Sequence, residues 1–251
     1  MSARKGVLVV TGGGRGIGRA IALGAAARGW DVLVNFARDA ASAEAVVASC
    51  RAAGAASQAV RGDVAVEADV LAIFAAADAM GRLAGLVNNA GIVATQGRLE
   101  DFSADRIARM FAVNSVGAIL CAREAVRRMS TKRGGAGGAI VNLSSVAARL
   151  GGPGDYVDYA ASKGAIDSFT VGLAKEVAAD GIRVNVVSPG VIETEIHASG
   201  GEPGRAARVG AGVPMGRAGG AEEIAAAVLW LLSDEASYVT GANVVASGGR
   251  L

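Results

Sequence analysis

The chain has 251 residues, 52% hydrophobic and only 4% aromatic, with 37 glycines; that length buries one large core, filled chiefly by alanine, valine, leucine and isoleucine. Its 25 basic and 23 acidic residues are dispersed and leave a net charge of +2, which gives no reason to expect the basic footprint of a nucleic-acid binder. A single histidine, His197, excludes a metal site built from several histidines, and Cys50 and Cys121 fit no zinc or Cys-x-x-Cys spacing, so no metal and a reducing, cytoplasmic setting are expected.

From the N-terminus, basic residues precede a short apolar run that ends in glycines, which reads as a first strand, "VLVVT" (7 to 11), not a signal peptide. A helix is predicted over 16 to 28, a strand at 31 to 36 ("DVLVNF"), a helix over 40 to 53, and a strand at 57 to 64 ("SQAVRGDV"). Then follow a helix over 66 to 80, a strand at 84 to 90 ("AGLVNNA"), a long helix over 103 to 131 and a strand at 138 to 145 ("GAIVNLSS"). The last elements are a helix over 157 to 180, a strand at 181 to 190 ("GIRVNVVSPG"), a helix over 221 to 233 and a strand at 242 to 247 ("ANVVAS"). No proline falls inside any of these helices. Strands alternating with helices imply a seven-stranded, doubly wound parallel sheet covered on both faces, an α/β chain in which residues 1 to 251 form one domain. The irregular stretch 193 to 220 is long for a compact domain and starts beyond the carboxyl end of a strand, where α/β sheets bind ligands, so it is expected to be a substrate lid. The basic run 127 to 135 reads as a solvated helix end. No apolar run reaches the roughly 18 residues of a membrane span.

"TGGGRGIG" (11 to 18) puts glycines where a strand turns into a helix. Glycine there permits positive φ and close approach of a pyrophosphate to the free N–H groups of a helix N-terminus. Alone this is weak evidence for nucleotide binding, and the absence of Gly-Lys-[Ser/Thr] excludes a Walker loop. In a helix over 157 to 180, Tyr159 and Lys163 share one face, and a cation one turn away favours a phenolate, making an acid/base pair that needs no histidine. By residue chemistry alone such a pair also suits a solvent-facing surface.

Taken together these motifs resemble the classical short-chain dehydrogenases/reductases over essentially the whole chain. "TGGGRGIG" is similar to that family's Thr-Gly-x3-Gly-x-Gly, "GDV" (62 to 64) to its adenine-side loop, "NNAG" (88 to 91) to its strand-four motif, "YAASK" (159 to 163) to Tyr-x3-Lys, and "SPGVIET" (188 to 194) to the segment that closes over nicotinamide. The resemblance implies a Rossmann fold and a catalytic set of Asn114, Ser145, Tyr159 and Lys163. Tyr159 exchanges the proton, Lys163 also holds the nicotinamide ribose, and the backbone carbonyl of Asn114 holds a relay water. Ser145 aligns with the substrate-positioning serine, with Ser144 as its neighbour, and Tyr156 is expected to be an aromatic plug at the pocket rim. The cofactor set implied is Gly12, Arg15, Gly16, Ile17, Gly18, Asn35, Arg38, Asp63, Val64, Asn89, Ala90, Gly91, Tyr159, Lys163, Pro189, Gly190, Ile192 and Thr194.

Where NAD-preferring relatives carry an acidic residue at the end of strand two this chain has Phe36, while Arg15 and Arg38 are placed to meet a 2′-phosphate. NADP(H) is therefore the expected cofactor and NAD(H) the weaker alternative. The expected activity is hydride transfer between that cofactor and a small-molecule carbonyl or alcohol, by a homotetramer, with no nucleic acid or membrane as partner. The chain is similar to 3-oxoacyl-acyl-carrier-protein reductases and glucose 1-dehydrogenase-like members; reduction of carrier-bound oxoacyl groups and a non-catalytic NADP-binding regulator are the alternatives. Asp180, where the carrier-protein enzymes are aligned with arginine, is expected to repel an acidic carrier.

Overall fold

Short β-branched runs buried on both faces pair in parallel only when the segments between them are long enough to cross back, and alanine-rich helices supply those crossovers. The structure, a computed structural model, describes residues 5–195 and 200–251. Its strands are β1 (Val7–Val10), β2 (Asp31–Phe36), β3 (Ser57–Arg61), β4 (Leu83–Asn88), β5 (Gly138–Leu143), β6 (Ile182–Pro189) and β7 (Asn243–Ala246). They form a seven-stranded sheet in the order β3-β2-β1-β4-β5-β6-β7, with every neighbouring pair parallel.

The helices are α1 (Gly16–Ala26), α2 (Ala40–Ala52), α3 (Glu67–Met80), α4 (Ala104–Phe111), α5 (Gly117–Met129), α6 (Ala147–Leu150), α7 (Val157–Val177), α8 (Arg205–Gly210) and α9 (Ala221–Leu232). Alternation along β1 sorts the core into two layers: Leu8 and Val10 join Ile21, Val47 and Val228 of α1, α2 and α9, while Val7 and Val9 join Phe74, Cys121 and Ala174 of α3, α5 and α7. At the α1–α9 contact a Cβ on Gly24 would lie 2.6 Å from Leu229 Cδ1, so glycine sets how closely the two helices approach.

Four expected elements differ in detail, each for a local reason. The strands predicted at 57 to 64 and 84 to 90 stop at Arg61 and Asn88, releasing Gly62–Val64 and Asn89–Ala90 as loops at the carboxyl edge of the sheet. The helix predicted over 103 to 131 is interrupted by a π turn, Ala112–Val116, that carries Asn114 inward with 1% of its surface exposed. The predicted 157 to 180 helix ends at Val177 and tightens into a 3₁₀ turn before Gly181, whose φ of +75° suits glycine alone. The stretch 193 to 220 is not wholly irregular: it contains α8, and Val191, Ala206 and Ala218 form a small apolar cluster of their own. His197 lies outside the described residues.

Candidate active site

Strand order reverses at β1, whose neighbours are β2 and β4, and a crevice opens there beyond the carboxyl ends. The glycine turn fills its floor. Gly12 and Gly16 adopt φ of +61° and +50°, and a Cβ on Gly18 would lie 2.4 Å from Gly12 O. Arg15 caps α1 without a side-chain hydrogen bond, so no side chain occupies the helix N-terminus through its cap. The turn is bolted to its neighbours by buried polar groups. Asn89 Nδ2 donates to Thr11 O and Gly12 O, both at 2.9 Å, and Thr11 Oγ1 accepts from Asn89 N and Ala90 N, both at 3.0 Å.

Asn35 is buried behind the turn: its Oδ1 accepts from Gly12 N at 3.3 Å and its Nδ2 donates to Gly62 O at 3.0 Å. Its amide therefore braces the glycine turn against the β3 loop. Val64 is buried where a Cβ on Gly117 would sit 2.9 Å from Val64 O, and Asp63 accepts a bond from Arg109 Nη2 at 2.7 Å. Phe36 ends β2, so no carboxylate stands there, and Asp39 next to it is occupied in capping α2 through Ser42 N at 3.0 Å. Arg15 and Arg38 are both exposed, and neither forms a salt bridge among the described residues.

A cleft extends from this crevice; Ile17, Asn89, Gly91, Ser145, Tyr159, Lys163, Pro189, Gly190, Ile192 and Thr194 all line it. The structure thus brings together residues far apart in the chain. Thr194 reaches back to the glycine turn, where a Cβ on Gly16 would lie 3.2 Å from Thr194 Cγ2. Gly91 sits between the remaining two, its added Cβ falling 3.5 Å from Asn114 Oδ1 and 3.6 Å from Lys163 Nζ. Asn114 does not line the cleft: its Oδ1 accepts from Ile92 N at 2.8 Å and its Nδ2 donates to Ile92 O and Ser162 Oγ at 3.0 and 3.1 Å.

Ser144 and Ser145 part company at the end of β5. Ser144 is buried and donates to Lys163 O at 3.1 Å, whereas Ser145 lies beside the Tyr159 hydroxyl. Lys163 Nζ donates to Leu143 O at 2.7 Å and stands 5.7 Å from the Tyr159 ring centre. One expectation is corrected here: in this state the lysine does not bring the phenol down. Burial dominates both groups, pushing Tyr159 up to about 12 against the Ser145 hydrogen bond and pulling Lys163 down to about 8 against the attraction of Asp167. Burial likewise raises the Asp167 carboxyl, one turn beyond Lys163.

The sequence reading missed the outer wall. Arg205 is buried, donates to Asp155 Oδ2 at 2.6 Å and Glu202 Oε2 at 3.2 Å, and lies 5.1 Å from the Tyr156 ring centre; Tyr156 meets Tyr159 edge-on at 5.6 Å. These partners lie up to fifty residues apart, so no spacing signals them. At Asp180, Lys132 Nζ lies 2.7 Å from Oδ1 and Ser130 donates to Oδ2 at 2.6 Å, so a lysine of the 127 to 135 basic run partly offsets this carboxylate.

A doubly wound sheet with a glycine turn at its switch point and a Tyr/Lys helix over the crevice defines a dinucleotide-dependent oxidoreductase. A family described as "Enoyl-(Acyl carrier protein) reductase" matches residues 12–250. The chain is 55% identical over 245 residues to "Uncharacterized oxidoreductase YgfF" of Escherichia coli, covering 97% of this chain and 99% of that one. It is 38% identical to the L-rhamnose 1-dehydrogenase (NAD(P)(+)) of a Sphingomonas species, covering 96% and 94%. The solved structure of levodione reductase superimposes with a TM-score of 0.90 at 34% identity, over 99% of this chain and 98% of that one. The chain belongs to the short-chain dehydrogenase/reductase family, and it is a nicotinamide-dependent oxidoreductase acting on CH–OH groups. Among the described residues no helix is long and apolar enough to cross a membrane.

Proposed function

We propose that the chain transfers hydride between NADP(H) and the carbonyl or alcohol carbon of a small molecule, with Tyr159 as the proton donor and acceptor. The observation that carries this is the convergence of Ser145, Tyr159 and Lys163 on one cleft that also receives the glycine turn and Thr194. The site fits a dinucleotide, since the turn has no room for a Cβ at Gly18 and leaves the α1 N-terminus free of a side-chain cap. Gly12, Gly16, Ile17 and Gly18 would hold the pyrophosphate, Asp63 and Val64 the adenine side, and Lys163 the nicotinamide ribose, with Asn89, Ala90 and Gly91 beneath. Pro189, Gly190, Ile192 and Thr194 would close over the ring. When bound, the cofactor supplies or accepts the hydride.

In reduction Tyr159 gives its phenolic proton to the carbonyl oxygen; in oxidation it takes the alcohol proton. A phenol held near 12 is protonated at neutral pH, the form an acid needs. Ser145 holds the substrate oxygen beside it. Asn114, locked in the π turn, presents its backbone to the relay, and Asn35 positions the glycine turn from behind. Phe36 in place of a carboxylate, with Arg15 and Arg38 exposed and forming no salt bridge among the described residues, favours NADP(H) over NAD(H). We further assign residues 193 to 220 as the substrate lid of a single catalytic domain, a homotetramer as the working form and the cytoplasm as its setting, where the buried Cys50 and Cys121 stay free thiols.

A second reading, reduction of oxoacyl groups on a carrier protein, gains from the Lys132 contact that offsets Asp180. A preference for a carrier-bound over a short thioester substrate would favour it. The main reading is tested with Tyr159→Phe: turnover falls by roughly 10²- to 10⁴-fold while NADPH affinity changes far less, because the ring still packs but carries no proton. Turnover near wild type would overturn it.

A further inference from the structure

We infer that the outer end of the cleft is an anion subsite in which Arg250 takes a carboxylate carried by the substrate, so that the natural substrate is an oxo or hydroxy acid. The inference rests on the reading of this cleft as the substrate site. Beyond Tyr156 the wall carries four charged side chains, Asp155, Glu202, Arg205 and Arg250. The two carboxylates are already engaged. Asp155 binds Arg205 at 2.6 Å, and Glu202 binds Arg205 at 3.2 Å, Arg208 at 2.6 Å and Gln96 Nε2 at 2.8 Å.

Arg250 has no such partner: it forms no salt bridge among the described residues, and the undescribed residues 1–4 and 196–199 contain no Asp or Glu. Of the two guanidiniums that line this end of the cleft, Arg205 is held between Asp155 and Glu202, which leaves Arg250 as the one without a carboxylate partner among the described residues. A buried or half-buried guanidinium facing a cavity calls for a planar oxyanion, which its fork binds in two hydrogen bonds. The two nearby carboxylates disfavour a dianion such as a phosphate ester, and a single carboxylate matches the single free charge. The tail is built to hold this residue in place. Met215 N donates to Gly248 O at 3.1 Å, Arg250 N to Ser247 O at 3.2 Å, and a Cβ on Gly249 would lie 3.0 Å from Pro214 Cβ, so the last turn is packed against the lid. Tyr156 lines the same end of the cleft; burial raises its phenol, Arg205 opposes that most, and Asp155 and Glu202 add to the rise, with Arg250 a weaker opposing charge. Val93, Leu150 and Val191 offer apolar lining for the carbon skeleton.

The test uses levulinate and acetoacetate, each beside its methyl ester, with binding to the enzyme–NADP⁺ complex measured calorimetrically and reduction by NADPH measured in parallel. The acid is expected to bind roughly 10- to 100-fold tighter than its ester, the range of one charge-assisted contact. Arg250→Ala should abolish that ratio and Arg250→Lys should restore part of it. Equal binding of acid and ester, an unchanged ratio in Arg250→Ala, or a loss in Arg250→Ala that falls on NADPH affinity instead would overturn the subsite. Tighter binding of the acids without hydride transfer to any member of the pairs would support the subsite and count against the Tyr159 mechanism.

Discussion

Tyr159 and Lys163 occupy one face of α7, and burial moves them in opposite directions, the phenol to about 12 and the ammonium to about 8. The lysine is thus the first of the two to change charge as pH rises. It is protonated below about 8 and neutral above, while the phenol keeps its proton well beyond. If the ammonium is needed to hold ribose and substrate, kcat/KM for carbonyl reduction should decline as pH passes through about 8; a profile flat far into the alkaline range would remove Lys163 from that role. The adjacent serines separate by partner. Ser144→Ala should cost about 1 kcal/mol of stability through the lost bond to Lys163 O, seen in denaturant midpoints, while Ser145→Ala should lose the larger share of turnover. A greater turnover loss at Ser144 would reverse the assignment. At the other end of the cofactor site, Arg38→Ala should weaken NADPH binding by about 1.5 to 3 kcal/mol and leave NADH nearly untouched, narrowing the kcat/KM gap between them. Wild-type enzyme that uses both equally would contradict the NADP assignment.

At the scale of elements, the carboxyl edge of the sheet is held by cross-links between loops. Glu193 N donates to Gly219 O at 2.9 Å, closing the base of the proposed lid, and α8 and the turn before it are tied outward by Arg205 to Asp155 before α7 and by Glu202 to Gln96 after β4. Glu202 is held down to about 2, first by its bond from Arg208, then by Arg205 and Gln96. A carboxyl lowered in the folded state lends stability above its ordinary value of 4.5 and loses it as pH falls toward about 2. Corrected for intrinsic exchange rates, amide exchange in residues 200 to 210 should therefore quicken as pH falls from 4.5 toward about 2, before the sheet amides respond. Glu202→Gln should show the quickening already at neutral pH; exchange equal to wild type there would mean the ion pairs do not hold the lid.

For the molecule as a whole, two apolar surfaces lack cover. Val116, Ile119 and Val171 expose 47%, 41% and 43% of their surface on the α5 and α7 side, and Trp230 with Leu251 expose 40% and 70% near the free edge at β7. An open strand edge beside exposed large hydrophobics invites pairing with a second copy. Two separate surfaces used once each give a closed tetramer with twofold axes. Sedimentation should show a tetramer at micromolar concentration, and Val171→Glu should leave dimers; a wild-type monomer would refute the assembly.

Periodicity and turn chemistry determined the order of strands and helices, because a doubly covered strand reads as an unbroken β-branched run and its crossover as an alanine-rich helix. The glycine turn, the Tyr159/Lys163 pair and Phe36 were legible through the resemblance of their motifs to a known family, since local chemistry alone left each of them open. Motif alignment picks Ser145, and it lies beside the phenol; tertiary structure alone decided that Asn35 braces the turn from behind and that burial dominates the proton affinity of Tyr159. It alone assembled Gln96, Asp155, Glu202 and Arg205 into one wall. Local pattern encodes what adjacent residues do to one another, whereas desolvation and ion pairing depend on which distant segments the sheet brings to its carboxyl edge.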